Sequence, residues 1–262
     1  MMFRKLQSNV VTLVAAAVLL VLPSISSAAD LLVGWYEFGT ANGEYESGAG
    51  KSADVGAAGL SGTVVGGDGN RSAWSSTDGF FGGSAFATGA GDTASDAGTP
   101  TANGAMTVRT LGGDQILSVT VTNSTSDSYV YLDTILFDLT NLNRGDVPDT
   151  LTLRYASGDL NDADNTFIQS ATNLAASGTA TGNTFSDWTD FGWSLASLTD
   201  LRLSVGESAT FQFIASDAIN TGAPLGLDNI ALTGTVSLVP TPAALPAGLM
   251  LMALGAVRRR RK

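Results

Sequence analysis

The feature that most constrains the fold is a strict alternation of apolar and polar residues along several short segments. In QILSVTVTN, residues 115–123, the side chains of Leu117, Val119 and Val121 share one face, and the polar residues between them share the other. The same pattern recurs in residues 149–156, 200–206, 209–216 and 228–236. A period of two with one polar face predicts antiparallel strands that cover a hydrophobic core.

Turn-forming clusters separate these segments, for example Gly112-Gly113-Asp114, and no long helical pattern interrupts them. The pattern therefore predicts an all-β fold, an antiparallel β-sandwich of jelly-roll type. Residues 30–238 fit one such domain, because all-β domains often reach this length as single units. The stretch 39–104 is rich in Gly, Ala, Ser and Thr and gives the weakest strand signal.

The composition excludes several classes of function. The chain has no cysteine and no histidine, which removes disulfides, thiolate nucleophiles, the Ser-His-Asp triad and the commonest zinc ligands. Seven of its 13 basic residues lie in residues 1–29 and 239–262, so residues 30–238 contain six basic and 24 acidic residues. Such a surface repels nucleic acid and suits a partner that is a cation or a neutral sugar. We expect a protein that is not an enzyme.

Residues 1–29 have the organisation of a secretory signal peptide. Arg4 and Lys5 precede a 13-residue apolar run, Val10 to Leu22, and small residues follow up to Ala29. The segment predicts a helical signal that the Sec translocon reads and that is cleaved after Ala28 or Ala29. The alternative is an uncleaved membrane anchor.

The last 24 residues have the organisation of a second targeting signal. Val239, Pro240, Thr241 and Pro242 precede an uncharged stretch, residues 243–257. As a helix, that stretch covers about 22 Å, which makes it a short transmembrane helix for a hydrocarbon core of about 30 Å. The chain then closes with cations that stop translocation, namely Arg258, Arg259, Arg260, Arg261 and Lys262.

This tail resembles the PEP-CTERM sorting signal of Gram-negative bacteria, with Thr241 in the place of the family's usual glutamate. The resemblance implies that an exosortase-type membrane enzyme recognises residues 239–242 and cuts near them. The protein would then pass through the inner membrane as an intermediate and reach the cell surface or the medium. The alternative is an ordinary tail anchor.

A second resemblance rests on the two ends of the body. LVGWYEF, residues 32–38, and GLDNIALTG, residues 226–234, are similar to segments of jelly-roll carbohydrate-binding and laminin-G-like modules. This implies that Glu37 and Asp228 hold a structural Ca²⁺, whose hard oxygen ligands they would supply. Asp228 shares parity with Ile230, which predicts that it points toward the edge of the core, where a carboxylate needs a partner. The alternative is an Asp that caps a turn.

Two further segments carry candidate sites. In FSDWTDFGW, residues 185–193, exposed rings of Trp188 and Trp193 could stack on sugars, and burial under a loop is the alternative. Asp187 and Asp190 flank Trp188 as a carboxylate pair of the kind that cleaves glycosidic bonds. GDLNDADNT, residues 158–166, clusters acidic and amide side chains that could hold a second calcium or form a solvated turn.

The favoured function is that of an exported, non-enzymatic surface or extracellular-matrix protein. The alternatives are a carbohydrate-binding module with a polysaccharide partner and, less favoured, a glycan-cleaving enzyme.

Overall fold

A computed structural model describes residues 29–36, 38, 50–66, 71–72, 105–108, 115–141, 148–174, 189–217 and 225–239. The predicted signal peptide up to residue 28, most of the stretch 39–104 and the tail from Pro240 onward lie outside these ranges. The signal helix and the short transmembrane helix therefore stay predictions. The described residues form strands and turns, and none of them belongs to a helix that could span a membrane.

The chain order of the strands within these ranges is as follows: β1 (Asp30–Trp35), β2 (Lys51–Ser52), β3 (Val55–Gly56), β4 (Leu60–Gly66), β5 (Arg71–Ser72), β6 (Ala105–Val108), β7 (Gln115–Asn123), β8 (Ser128–Asn141), β9 (Thr150–Gly158), β10 (Thr166–Ala171), β11 (Thr189–Ser194), β12 (Arg202–Leu203), β13 (Ser208–Ser216) and β14 (Leu225–Leu238).

The strands form two antiparallel sheets. The larger one runs β11-β8-β14-β1-β3, with β12 also pairing with β8, β6 with β14 and β5 with β6. The smaller one runs β10-β9-β13-β7-β4-β2. This arrangement confirms the all-β, antiparallel sandwich that the alternation predicts, and the jelly-roll connectivity stays a prediction.

Aromatic side chains from both sheets meet in the core between them. Phe137 of β8 and Phe213 of β13 stand edge to face with ring centroids 4.9 Å apart. Tyr155 of β9 and Phe211 of β13 add a second edge-on pair at 6.1 Å. Burying a side chain of this size stabilises the fold by about 1.5–3 kcal/mol. The Phe137–Phe213 contact joins the two sheets face to face, and the Tyr155–Phe211 pair lies within the smaller sheet.

A β-bulge in β14 decides which way Asp228 points. Asp228 lies opposite Asp138 and Ala231 opposite Leu136, so two residues of β14, Asn229 and Ile230, occupy the space facing a single residue of β8. Asn229 has a φ of 46°, in the left-handed region that asparagine tolerates better than most residues.

Parity with Ile230 predicts that Asp228 points toward the edge of the core, and this direction is wrong, although the side chain is buried as predicted. The inserted residue reverses the alternation, because side chains on either side of a bulge change faces. Asp138 stands between the core residues Phe137 and Leu139 and so projects from the outer face of the larger sheet. Its cross-strand partner Asp228 projects from the same face.

Candidate functional site

Two carboxylates stand directly opposite each other near the middle of the larger sheet. Asp138 on β8 and Asp228 on β14 are register partners, and each side chain is 0% exposed. Neighbouring strands lie about 4.7–4.9 Å apart, which brings cross-strand side chains into contact. The next residue, Asn229, is 1% exposed. We call these three residues the buried acidic pair with its amide.

Asn229 links the two carboxylates by hydrogen bonds. Its side-chain Nδ2 donates to Asp138 Oδ2 at 2.8 Å, and its backbone N–H donates to Asp228 Oδ1 at 2.9 Å. Its own carbonyl oxygen, Oδ1, is buried without a hydrogen-bond partner. An unsatisfied buried polar atom costs about 1–3 kcal/mol, so this amide oxygen is an acceptor available to a ligand.

The neighbouring acidic residues set limits on what this site can hold. Asp190 on β11 is the register partner of Asp138 on its other side and is exposed. Glu37, the predicted calcium partner of Asp228, lies outside the described residues. Within the ranges that the structure describes, no three carboxylates converge into a metal cluster. Any cation here would rely on two carboxylates and amide or backbone oxygens.

Sequence reasoning identified Asp228 and missed Asp138 and Asn229. The signal for Asp138 is an aspartate within the long apolar stretch YVYLDTILFDL, where a carboxylate in a central strand needs an explanation. Nothing local in the sequence gives its pairing with Asp228, since 90 residues separate the two positions.

Trp193 does not form a sugar-stacking platform. It is 2% exposed and packs edge-on against Phe137, with ring centroids 4.8 Å apart. Phe191, two residues earlier on β11, stacks on Phe137 at 5.2 Å. Pairing of β11 with β8 turns both rings into the core, which is the burial that the sequence left as the alternative. Trp188 lies outside the described residues.

In the acidic loop, residues 158–166, carboxylates accept hydrogen bonds from backbone N–H groups of other segments. Asp162 accepts hydrogen bonds from the backbone N–H groups of Thr199 and Asp200, both at 3.0 Å, and from the Thr199 hydroxyl at 2.9 Å. Asp159 accepts one from the backbone N–H of Ser208 at 2.8 Å. Burial raises the pKa of Asp162, but these hydrogen bonds outweigh it and hold the pKa below its ordinary value of 3.8. These contacts favour the turn over the second calcium site.

The carboxylate pair predicted for glycan cleavage is incomplete in the structure. Asp190 is exposed at the start of β11, and Asp187 lies outside the described residues. The catalytic pair therefore stays a prediction.

The outer face of the smaller sheet is lined with hydroxyl and amide groups. The outward residues alternate with buried ones, and a hydrogen-bonded network crosses three strands. Arg154 donates to Gln212 Oε1 from Nε at 3.0 Å and from Nη2 at 2.6 Å, and Gln212 Nε2 lies 3.1 Å from Ser118 Oγ. We call this surface the hydroxyl face and define it by Ser118, Thr120, Thr152, Arg154, Thr210 and Gln212.

The charge of this sheet differs sharply from that of the chain. The strands β4, β7, β9, β10 and β13 contain none of the 24 acidic residues of the protein, and their only charged side chain is Arg154. Opposite Arg154, at one side of the face, stands Phe167, which is 59% exposed. The face therefore combines neutral hydrogen-bonding groups, one guanidinium and one exposed ring.

The chain matches no protein-family model, and the comparison with curated proteins finds no relative. Among solved structures it is similar to the K3 cleaved adhesin domain of Lys-gingipain from Porphyromonas gingivalis, with 14% identity over 68% of this chain and 91% of that one, at a TM-score of 0.30. It is also similar to a family 11 carbohydrate-binding module from Clostridium thermocellum, crystallised with a mixed-linked tetrasaccharide. There the identity is 12%, over 80% of this chain and 99% of that one, again at a TM-score of 0.30. Scores this low transfer no function to this chain.

Proposed function

We propose that the protein is an exported, non-enzymatic component of the cell surface or extracellular matrix, processed at its C-terminus by an exosortase-type enzyme. Residues 1–29 direct export, and residues 239–262 direct sorting. The observation that carries the proposal is the position of the tail. The last strand ends at Leu238, and Val239 still donates its N–H to the carbonyl oxygen of Asp127 at 2.7 Å. The proposed sorting motif begins at the residue that follows the last described strand.

The test is the intact mass of the protein recovered from the membrane, periplasm and medium of the cells that make it. We expect a chain that lacks the signal peptide, ends near residues 240–243 and is found outside the inner membrane. Replacing both Pro240 and Pro242 with Ala should leave the full tail on the protein. A full tail on the unaltered protein in the inner membrane would contradict the sorting proposal and leave a tail anchor.

A second function, carbohydrate binding, is favoured by the hydroxyl face. Its hydroxyl and amide groups donate and accept hydrogen bonds as sugar hydroxyls do, and Phe167 offers a ring on which a sugar can stack. Because the five strands carry no carboxylate, a ligand there meets little of the negative charge found elsewhere on the protein. These features fit a neutral polysaccharide.

Binding to insoluble neutral polysaccharides of several linkages tests this function. Phe167→Ala and Gln212→Ala should each weaken binding at least several-fold. Tyr131→Ala is the matched control, because Tyr131 is 41% exposed on the other sheet and should leave binding unchanged. Affinity should persist in high salt, since a neutral ligand makes few screened contacts. Equal binding by all three variants would exclude the hydroxyl face.

A further inference from the structure

We propose that the end of the sandwich from which the tail leaves is a docking surface for the zwitterionic surface of a phospholipid bilayer. The inference rests on the sorting function proposed above, in which residues 243–257 insert in the inner membrane, and it adds a membrane contact made by the folded domain itself. We call this surface the tail-end patch and define it by Tyr129, Tyr131, Arg202, Val205, Val236 and Leu238.

The tail-end patch holds most of the large hydrophobic side chains that are exposed in the described part of the chain. Four of those six lie at this end, namely Tyr131, Val205, Val236 and Leu238. Leu238 is the most exposed of them, at 72%. The other two, Ile116 and Phe167, belong to the smaller sheet. Exposed apolar side chains gathered at one end of a domain mark a contact site for a protein or a membrane.

Asn123 holds the elements of the patch together. It is 0% exposed, and its Nδ2 donates to the carbonyl oxygens of Ser128 at 2.8 Å and Leu203 at 3.0 Å. These bonds fix the turn that carries Val205 beside the start of β8, whose first residue, Ser128, is the register partner of Leu238. Apolar side chains from separate segments are thus presented at one end of the sandwich by a fixed support.

The length of the tail indicates which contact this is. β14 ends at Leu238, and only residues 239–242 separate it from the apolar stretch. Four residues span at most about 14 Å when fully extended. The polar headgroup region is about 5–8 Å thick on each side of the hydrocarbon core. Once the apolar stretch is inserted, this end of the domain therefore lies against the lipid headgroups.

The charges around the patch match a zwitterionic headgroup, which carries one phosphate and one ammonium group. The guanidinium of Arg202 lies 4.9 Å from the ring centroid of Tyr129, and the exposed Arg202 can pair with the phosphate. Asp127 and Asp133 are exposed at the same end and can pair with the ammonium group. Tyrosine is enriched where membrane and water meet. An anionic lipid would be repelled by the two carboxylates.

The test uses the chain after signal cleavage, residues 29–262, inserted in vesicles of phosphatidylcholine and phosphatidylethanolamine that carry a fluorescence quencher on the lipid headgroup. The chain has no cysteine, so Ser126→Cys at the tail end and Thr172→Cys at the opposite end each provide one site for a fluorescent label. We expect the quencher to reduce emission from position 126 at least several-fold more than emission from position 172. Adding anionic phosphatidylglycerol should reduce this difference.

Tyr131→Asp combined with Leu238→Asp should lower the quenching at position 126 to the level at position 172. Ile116→Asp is the matched control, because Ile116 is exposed at the opposite end of β7, and it should leave the quenching unchanged. The inference is overturned if the double variant keeps full quenching, or if the two labels are quenched equally in unaltered protein that floats with the vesicles. Protein that does not float contradicts the inserted tail and, with it, this inference.

Discussion

The outer faces of the two sheets differ in chemistry. On the larger sheet, Asp138 and Asp228 lie side by side and fully buried. On the smaller sheet, the hydroxyl face is neutral apart from Arg154 and remains partly open to solvent. The chain has 24 acidic residues, and none of them lies on the strands that form the hydroxyl face. Asp159 and Asp162 lie in the connection between β9 and β10, outside the strands.

The largest expected effect comes from removing the core that supports both faces. Trp193→Ala should lower the free energy of unfolding by about 3–5 kcal/mol, because it leaves a cavity beside Phe137 and Phe213. Urea denaturation followed by circular dichroism measures this. Tyr131→Ala, at an exposed aromatic position, should cost far less. Equal costs for the two variants would mean that Trp193 is not a core residue.

The next effect concerns the bulge in β14, which brings Asn229 beside Asp138. Asn229→Ala should lower the free energy of unfolding by about 2–4 kcal/mol, because it removes the hydrogen bond to Asp138 and places a left-handed φ on alanine, which lacks the short polar side chain that lets asparagine adopt it.

Asn229→Gly is the control that separates the contribution of the backbone conformation from that of the amide, since glycine accepts the same φ and lacks the amide. We expect it to cost less than Asn229→Ala in the same urea titration. If Asn229→Gly costs as much or more, the backbone conformation of the bulge contributes little.

The smallest effect concerns the acidic loop beside the hydroxyl face. Its hydrogen bonds hold the pKa of Asp162 below 3.8, so ionised Asp162 stabilises the folded state at any pH above its unfolded value. That contribution is lost as the pH falls through the folded pKa. The Tm difference between wild type and Asp162→Asn should therefore be present at neutral pH and shrink in acid. Scanning calorimetry across that range checks this, and a difference that grew in acid would reverse the sign.

Most of the strands could be predicted from the sequence, because each alternates locally. QILSVTVTN coincides with β7, Gln115–Asn123, and residues 209–216 lie within β13, Ser208–Ser216. Alternation over residues 200–206 predicts a strand longer than β12, Arg202–Leu203. The strand is shorter because the chain turns at Gly206, where the N–H of Glu207 donates to the carbonyl oxygen of Ser204.

Of the buried acidic pair, the sequence pointed to Asp228 and not to Asp138. One inserted residue at Asn229 reverses the face of Asp228, and local alternation contains no sign of the insertion. Pairing of β8 with β14 brings Asp138 to its partner, and pairing of β11 with β8 buries Trp193. Both are long-range events, whose outcome depends on the packing of the whole sheet and not on neighbouring residues.

The placement of β14 has a mechanical consequence. The strand lies inside the larger sheet, between β8 and β1, and runs straight to the proposed sorting motif at Val239. If the protein is held by its tail, tension from flow or from a bound partner enters along the axis of β14. The load then acts in shear on the hydrogen bonds between β14 and β8, which run from Leu225 to Leu238. These bonds share the load because they must break together. A tether attached at β10 would have, among the described strands, a neighbour on only one side to share that load.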